Sequence, residues 1–157
     1  MTILRRKDRE VKDINDLLQI IDKCKVCRIA TQDKDGLYIV PMNFGYVYED
    51  NQLVLFFHSA KEGRKINAFK ENADICFEMD CDHQLITGEE ACRFSYSYRS
   101  IVGNGRVVFI DDPEEKKYAL CMFLLQNMRA MLPDIPHCLK MRPMVLLQTE
   151  GYQRLSI

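Results

Sequence analysis

One segment of the sequence combines a histidine, a small hydroxyl residue and several cations within a short span. FFHSAKEGRKI, residues 56–66, ends an apolar run at His58 and continues with Ser59. Three cations follow at the predicted start of a helix: Lys61, Arg64 and Lys65. The first N–H groups of a helix lack intrahelical partners and attract anions, whereas cations there oppose the helix dipole. The pattern therefore suggests an anionic ligand such as a phosphate, the alternative being a solvated helix start that Glu62 partly neutralises.

His58 has two interpretations of its own. In the predicted strand it shares a face with Val54 and Phe56, while the alternate residues point the other way. An imidazole beside an anion site could contact the ligand or supply a proton near neutral pH. The alternative is a partly buried histidine that is satisfied at a strand end. His83 and His137 lack comparable surroundings.

The seven cysteines are interpreted mainly as structural. Cys24 and Cys27 form a CxxC, which could be a redox pair or half a zinc site, but no second CxxC is present. A metal site is also conceivable around four further residues: Cys76, Cys81, His83 and Cys92. Free cysteine in an apolar run commonly behaves as a small hydrophobe, so no metal is predicted. The odd count and the lack of a secretory signal favour a reducing, cytoplasmic compartment.

The surrounding pattern predicts a mainly β protein with three helices. The helices span residues 13–24 with Asp13 as N-cap, residues 63–71, and a segment from the Asp112-Pro113 cap to a point before Pro133. About six strands are predicted: 26–31, 37–48 with breaks at Pro41 and Gly45, 53–58, 74–79, 99–110 with Gly103 and Gly105, and 144–148. Residues 81–97 are expected to be irregular or partly helical. Short turns between strands favour an antiparallel sheet closed as a barrel.

Length and composition restrict the class of protein. The 157 residues suit one domain, and 47% hydrophobic with 29% charged residues is a globular composition. A net charge of −1 argues against a general nucleic-acid or membrane-surface binder. No apolar run approaches the roughly 20 residues that span a bilayer. In PMNFGY, residues 41–46, backbone donors at the strand break could bind a planar ring, although the aromatic side chains are expected to be core.

Several segments in fixed order resemble the nitroimidazole-resistance protein family, which belongs to the pyridoxamine 5′-phosphate oxidase-like flavoproteins. They are RRKDREVKD (5–13), PMNFGY (41–46), FHSAKEGRK (57–65), NADICFEMD (72–80) and YRSIVGNGRVVFI (98–110), followed by a helix with an acidic start. The resemblance covers residues 5–128, while residues 129–157 match poorly. It implies a six-stranded antiparallel FMN-binding split barrel with flanking helices, which forms a homodimer with flavin at the interface.

The resemblance also implies roles for individual residues. Arg64 and Lys65 match the pair that grips the FMN phosphate, and Ser59 matches a small hydroxyl residue that also contacts it. Other matched positions complete the expected cofactor-binding set: Pro41, Met42, Asn43, Phe44, His58, Ala60, Gly63 and Ser100. His58 is the candidate catalytic residue. The expected cofactor is FMN, with FAD possible.

The expected activity is flavin-dependent reduction of small nitroaromatic compounds of the 5-nitroimidazole type. A first alternative is a non-catalytic protein that stores or senses flavin or haem, with His58 or His83 as haem ligand. A second is oxidation of pyridoxamine 5′-phosphate, which the poor match of the C-terminal segment disfavours. Neither nucleic acid nor a membrane is expected as a partner.

Overall fold

The computed structural model describes residues 7–128 and 144–156; for Lys7, Met128 and 144–156 it describes the backbone alone. Within these ranges, three helices flank the strands: α1 (Ile14–Lys23), α2 (Arg64–Glu71) and α3 (Pro113–Met128). The strands are β1 (Cys27–Asp33), β2 (Gly36–Met42), β3 (Gly45–Glu49), β4 (Gln52–His58), β5 (Asp74–Ile86), β6 (Ser95–Ile110) and β7 (Met144–Ser156). Short 3-10 turns lie at Lys7–Arg9 and Ala91–Arg93. Among the described residues, no helix is long and apolar enough to cross a bilayer.

The seven strands form one antiparallel sheet in the order β2-β1-β5-β6-β7-β4-β3. The expected mainly β, antiparallel class is therefore confirmed. The two outermost strands, β2 and β3, are consecutive in the chain, and only Asn43 and Phe44 join them. Because two residues cannot span a flat seven-stranded sheet, the sheet curls until its two edges approach each other at this connection. Pro41 lies in the outermost strand β2, as its missing N–H predicts.

The described part of the chain has one strand more than the expected six, because the breaks predicted within 37–48 divide that segment into β2 and β3. It also differs at 81–97, where β5 and β6 continue into a long hairpin around a short 3-10 turn. The regular alternation is hidden there by an irregularity between Cys81 and Gln84, with Asp82 at φ 57°. Both faces of the hairpin are largely exposed beyond that point, so the sequence carries no buried stripe to reveal the strands.

Both predicted N-caps are confirmed. Asp13 accepts a hydrogen bond from the Asn15 N–H at 2.7 Å and begins α1. Asp112 accepts from the Glu114 and Glu115 N–H groups at 3.0 and 2.8 Å and begins α3. These bonds satisfy N–H groups that no helical carbonyl can reach. The predicted end of α3 before Pro133 lies outside the described residues.

The core lies between the sheet and its helices. The larger cluster joins α1 (Leu17, Ile20 and Ile21) to the inward-facing residues of β1, β4, β5 and β6. A second cluster places Phe56 and Ile110 against Ala119 and Phe123 of α3. Gly45 permits this second contact, since a Cβ there would lie 2.4 Å from the Phe123 Cα. The aromatic residues of 41–46 belong to this interior, as expected: Phe44 is buried and Tyr46 packs against the larger cluster.

Candidate functional site

Ser59 is a buried polar residue at the end of β4. Its side chain is in the core at 5% exposure, and its Oγ has no hydrogen-bond partner among the described residues. A buried hydroxyl without a partner costs roughly 1–3 kcal/mol, so natural structures rarely keep one without a reason. The loop that follows Ser59 leads directly into the cationic start of α2. A ligand with acceptor oxygens at this position would give the hydroxyl a partner.

Arg64, the first residue of α2, is already engaged on one side. Its Nε and Nη2 donate to the two carboxylate oxygens of Asp33 at 2.7 and 3.0 Å. Its guanidinium also lies 4.4 Å from the centre of the Tyr38 ring. The hydrogen bond from Arg64 lowers the pKa of Asp33, and the same contact raises the pKa of Arg64. The β1–β2 hairpin therefore fixes the direction of this guanidinium, while its Nη1 makes no hydrogen bond with described residues.

Lys65 and the preceding loop supply the remaining donors. Lys65 is half-buried and forms no ion pair with the described part of the chain. Residues 60–63 are exposed. Because the Ala60 side chain is a methyl group, Ala60 would offer a ligand polar contacts from its backbone alone. Gly63 precedes the helix at φ 127°, a conformation that disfavours other residues, and offers no side-chain cap to the helix N–H groups. The Ile66 and Asn67 N–H groups donate to the Gly63 carbonyl. The start of α2 therefore leaves the earlier Arg64 and Lys65 N–H groups without a side-chain cap, on the same turn as the Lys65 ammonium.

His58 ends β4, on the face that alternation predicts. Leu53, Leu55 and Phe57 are fully buried in the larger cluster, whereas His58 is half-buried on the opposite face. Its ring meets that of Phe123 edge to face, with ring centres 4.6 Å apart. The contact with α3 holds the imidazole in place one residue before Ser59.

The segment 41–44 supplies less side-chain surface than the resemblance implies. Met42 and Phe44 are buried in the larger core cluster at 6% and 1% exposure, so their side chains are committed to packing. Pro41 and Asn43 alternate with them and are exposed. The Asn43 Nδ2 donates to the Lys25 carbonyl at 2.9 Å, which holds the connection between β2 and β3. A ligand at this segment would therefore meet backbone, Pro41 and the outer side of Asn43.

Ser100 lies in a different part of the sheet from the α2 start. It pairs with Asp80 on β5, while His58 pairs with Met144, which in turn pairs with Ile110. Ser100 and Ile110 are ten residues apart along β6, roughly 33 Å of strand at about 3.3 Å per residue. Ser100 is instead close in register to Pro41, because Pro41, Arg28, Glu78 and Val102 form one cross-strand row. The predicted residues thus fall into two groups on one chain.

Two cavities in the described part of the structure lie away from these residues. One, of about 510 Å³, is lined by Thr31, Leu37, Asn72, Asp74, Cys76 and Asn104 among others. Thr31 carries a second buried hydroxyl without a partner among described residues. The other, of about 380 Å³, is lined by Lys23, Arg28, Asp80, Cys81, Asp82 and His83 among others. No predicted flavin-binding residue lines either cavity. Neither cavity of the single chain is therefore the predicted flavin site.

Sequence reasoning missed the partners that orient the predicted residues. In the sequence, Asp33 is part of the DKDG turn and Phe123 is an apolar position of a helix. Only the tertiary structure brings Asp33 to Arg64 and Phe123 to His58. No sequence signal links residues 31 or 65 positions apart in this way. The suggested metal cluster is likewise not assembled: within the described residues, no three His, Cys, Asp or Glu side chains converge to hold an ion.

Comparison with known proteins agrees with this architecture. Residues 13–135 match the family model described as pyridoxamine 5′-phosphate oxidase. A search of curated proteins found no significant match. Among solved structures, a Bacteroides thetaiotaomicron protein provisionally assigned to 5-nitroimidazole antibiotic resistance superposes with a TM-score of 0.75 at 27% identity. That match covers 92% of this chain and 84% of the Bacteroides chain.

Two more distant structures share the fold. The flavocytochrome Anf3 of Azotobacter vinelandii has a TM-score of 0.74 at 18% identity, covering 99% of this chain and 72% of its own. A FAD and heme binding protein of Mycobacterium smegmatis has a TM-score of 0.72 at 17% identity, covering 94% and 73%. The resemblance inferred from the sequence is confirmed, and the chain belongs to the flavin-binding family of pyridoxamine 5′-phosphate oxidase-like proteins, with a 5-nitroimidazole-resistance type of protein among its structural relatives.

Proposed function

We propose that the protein binds the phosphate of FMN in a phosphate cradle formed by residues Ser59–Lys65. The observation that carries the proposal is the buried Ser59 hydroxyl, which has no hydrogen-bond partner among the described residues and precedes the cationic start of α2. A phosphate oxygen would accept from this hydroxyl and from the backbone N–H groups of the helix start. The family to which the chain belongs supplies flavin as the bearer of that phosphate.

The charges of the cradle favour FMN over FAD. Arg64 is held by Asp33 and presents Nη1, whereas Lys65 has no acidic partner among the residues described. Two cations and a helix N-terminus suit the terminal phosphate of FMN, which carries close to two negative charges near neutral pH. The pyrophosphate of FAD spreads its charge over two linked groups, so it suits such a compact set of donors less well.

A second copy of the chain completes the site in this proposal. The outer face of the sheet carries the cross-strand row Ile39, Ala30, Cys76 and Asn104. Leu37 and Ile39 on this face are 86% and 64% exposed. Adjacent exposed aliphatic residues on a sheet face are typical of a protein interface. Dimerisation through this face would bring the group around Pro41 and Ser100 of one protomer towards the phosphate cradle of its partner.

The proposal includes the closed form of the sheet. With β2 and β3 joined by two residues, the strands would form a split barrel whose outer wall is the proposed dimer face. Flavin would then lie between two such walls, with its ring against the exposed side of residues 41–43. The buried side chains of Met42 and Phe44 would support that wall from within.

We further propose reduction of small nitroaromatic compounds as the activity. When bound, the flavin supplies the electrons, and the protein supplies binding, orientation and protons. His58 is the proton-carrying side chain next to the phosphate cradle, and the Phe123 ring limits its movement. The 27% identical Bacteroides protein, named for 5-nitroimidazole resistance, supports this substrate class.

The activity is tested by reducing the flavin-loaded protein without oxygen and mixing it with a 5-nitroimidazole. The expected result is recovery of the oxidised flavin spectrum faster than for the same concentration of free reduced FMN. A rate equal to that of free FMN would contradict the proposal. His58→Asn should retain flavin and slow the reoxidation by roughly tenfold or more, since general acid catalysis contributes at least this much.

The same preparation separates the alternatives. A protein that turns over pyridoxamine 5′-phosphate with oxygen would be an oxidase, and one that takes up haem with a Soret band in preference to flavin would be a haem-binding protein. Flavin binding without any nitroaromatic reduction would indicate storage or sensing. The proposed reductase requires that a 5-nitroimidazole reoxidises the bound flavin faster than free reduced FMN, and none of these other results.

A further inference from the structure

A gap opens in the sheet where β1 and β5 separate. The two strands pair over only three residues, and the last pair is Ala30 with Cys76. Beyond this pair, β1 continues to Asp33, and among the described strands only β2 pairs with these further residues. On the other side, β5 begins at Asp74, and its first two residues pair with β6 but not with β1. The sheet is therefore open between the two strands, and we call this opening the β1–β5 gap.

The β1–β5 gap leaves backbone groups of β1 without a strand beside them. In an antiparallel sheet, the N–H and C=O groups of successive residues point to the two neighbouring strands in turn. At least one of residues 31–33 therefore directs both groups towards the side of β5, where no described strand pairs with it. A short edge of this kind can hydrogen-bond an amide group of a ligand as it would bond another strand.

The cavity of about 510 Å³ lies at the β1–β5 gap. Its lining includes Ala30 and Cys76, the last paired residues, together with residues from both separating strands. Thr31, the first residue beyond that pair, also lines the cavity and is 5% exposed. The Thr31 Oγ1 has no hydrogen-bond partner among the described residues, and buried hydroxyl groups are rarely left in that state. Cavities of this volume hold small organic molecules in other proteins.

The polar groups around this cavity are mostly uncharged. Three amide side chains line it: Gln32, Asn72 and Asn104. The side-chain oxygen of Asn72 accepts from the Asp74 N–H at 3.0 Å, so its NH₂ group is the end left to donate. Among the described lining residues only Asp74 is charged, and its carboxylate accepts from Arg106 at 2.8 Å. An anion would therefore meet no cation in this lining, whereas a neutral amide would meet both donors and acceptors.

We propose that the cavity at the β1–β5 gap binds an uncharged heteroaromatic amide, a flat ring that carries a carboxamide or lactam group. Leu37 and Ile75 contribute aliphatic surface against which the ring would pack, and Gly105 leaves one wall without a side chain. The carbonyl oxygen of the ligand would accept from the Thr31 hydroxyl and the Asn72 NH₂ group. Its N–H would donate to the unpaired carbonyl at the edge of β1.

This site is separate from the phosphate cradle, since none of residues 59–65 lines the cavity. Its ligand does not need flavin, so the two proposals can fail independently. Leu37, Cys76 and Asn104 also belong to the proposed dimer face, so a bound molecule would contact the second protomer of that dimer as well. The Thr31 hydroxyl should therefore affect the amide ligand alone, and the Ser59 hydroxyl should affect FMN alone.

The test titrates the full-length protein with nicotinamide, an uncharged heteroaromatic amide, and follows binding by NMR chemical shifts. The matched ligand is nicotinate, which has the same ring but carries a carboxylate in place of the amide. Nicotinamide should bind with a dissociation constant below about 1 mM, and nicotinate should bind at least about tenfold more weakly. This comparison uses the natural sequence and does not depend on the folding of any variant.

Two variants locate the binding site. Thr31→Val removes the hydroxyl but keeps the branched side chain, and it should weaken nicotinamide binding about fivefold. Ser59→Ala is the control and should leave nicotinamide binding unchanged. No binding of nicotinamide to the natural protein, equal binding of nicotinate, or a folded Thr31→Val variant with unchanged affinity would each overturn the proposal.

Discussion

At the scale of single residues, the surroundings of two buried hydroxyl groups differ in whether they suit an anionic ligand. Ser59 and Thr31 each have an oxygen without a partner in the described part of the chain. Ser59 adjoins the cations of α2, whereas the cavity beside Thr31 is lined by neutral residues and Asp74. Only Ser59 therefore has surroundings that attract a phosphate. The two residues form a natural pair of test and control.

Ser59→Ala should weaken FMN binding while stabilising the flavin-free protein. The variant removes an unsatisfied buried group, which should raise the free energy of unfolding by roughly 1 kcal/mol, and it removes one contact to phosphate, which should weaken affinity by roughly tenfold. Thr31→Val should give the same gain in stability with unchanged FMN affinity. Chemical denaturation and fluorescence titration measure both quantities. Equal FMN affinity in Ser59→Ala and the natural protein would contradict the role of Ser59.

The Asp33–Arg64 pair should be visible in the acid stability of the protein. The Arg64 hydrogen bond lowers the pKa of Asp33 in the folded state relative to its ordinary value of 3.8. Such a group stabilises the folded protein above the unfolded pKa, and the contribution disappears as the pH falls through the lowered folded pKa. Asp33→Asn should therefore lose more stability at pH 6 than in acid, so that its unfolding profile is flatter below about pH 4. Parallel pH profiles of unfolding for Asp33→Asn and the natural protein would show that the Asp33–Arg64 pair does not contribute to acid stability.

At the scale of elements, the helix boundaries follow from a few polar residues. Asp112 binds two N–H groups at the start of α3, and α3 in turn fixes the His58 ring through Phe123. The cap is therefore connected to the site through one helix. Asp111 is an exposed neighbour with the same charge.

Asp112→Ala should destabilise the protein by about 0.5–2 kcal/mol, because two helix donors lose their acceptor. Asp111→Ala removes the same charge without the cap, so it should change stability by less than about 0.5 kcal/mol. Thermal and urea unfolding of the two variants give the comparison. Equal losses in both would indicate that charge near α3, rather than capping, is responsible.

Periodicity and turn chemistry predicted most elements, because apolar alternation and Asp or Gly residues at boundaries act locally. The N-caps, the turn at Gly36 and the edge position of Pro41 were found in this way. The hairpin 81–97 could not be, since both its faces are exposed and the irregularity after Cys81 interrupts its alternation. The burial of the Met42 side chain depends on how the sheet curls, which no local pattern encodes.

At the scale of the whole molecule, the predicted flavin residues form two groups that one chain does not bring together along its sheet. Ser100 and Pro41 lie in one region, and His58 with the phosphate cradle in another. The family resemblance assigned the residues, but sequence alone did not show this separation. In the proposed dimer, the exposed face between Leu37 and Cys76 would join the groups through a second protomer.

The double variant Leu37→Arg with Ile39→Arg should be monomeric and should bind FMN at least tenfold more weakly than the natural protein. Two charges cannot be buried unpaired at an apolar interface, so association should fail, and with it the shared site. Light scattering after size exclusion and flavin titration report the two effects. Leu125→Arg, at an exposed leucine of α3, is the control and should change neither. A dimer that persists in the double variant would place the interface elsewhere.

The central claim is that the phosphate cradle holds the phosphate group of the flavin, and comparison of FMN with riboflavin tests it most directly. Calorimetric titration of the flavin-free protein should show FMN binding roughly a hundredfold more tightly than riboflavin, which lacks only the phosphate. Replacing both Arg64 and Lys65 with alanine should abolish most of that difference while leaving riboflavin affinity unchanged. Equal affinities for FMN and riboflavin in the natural protein would contradict the account.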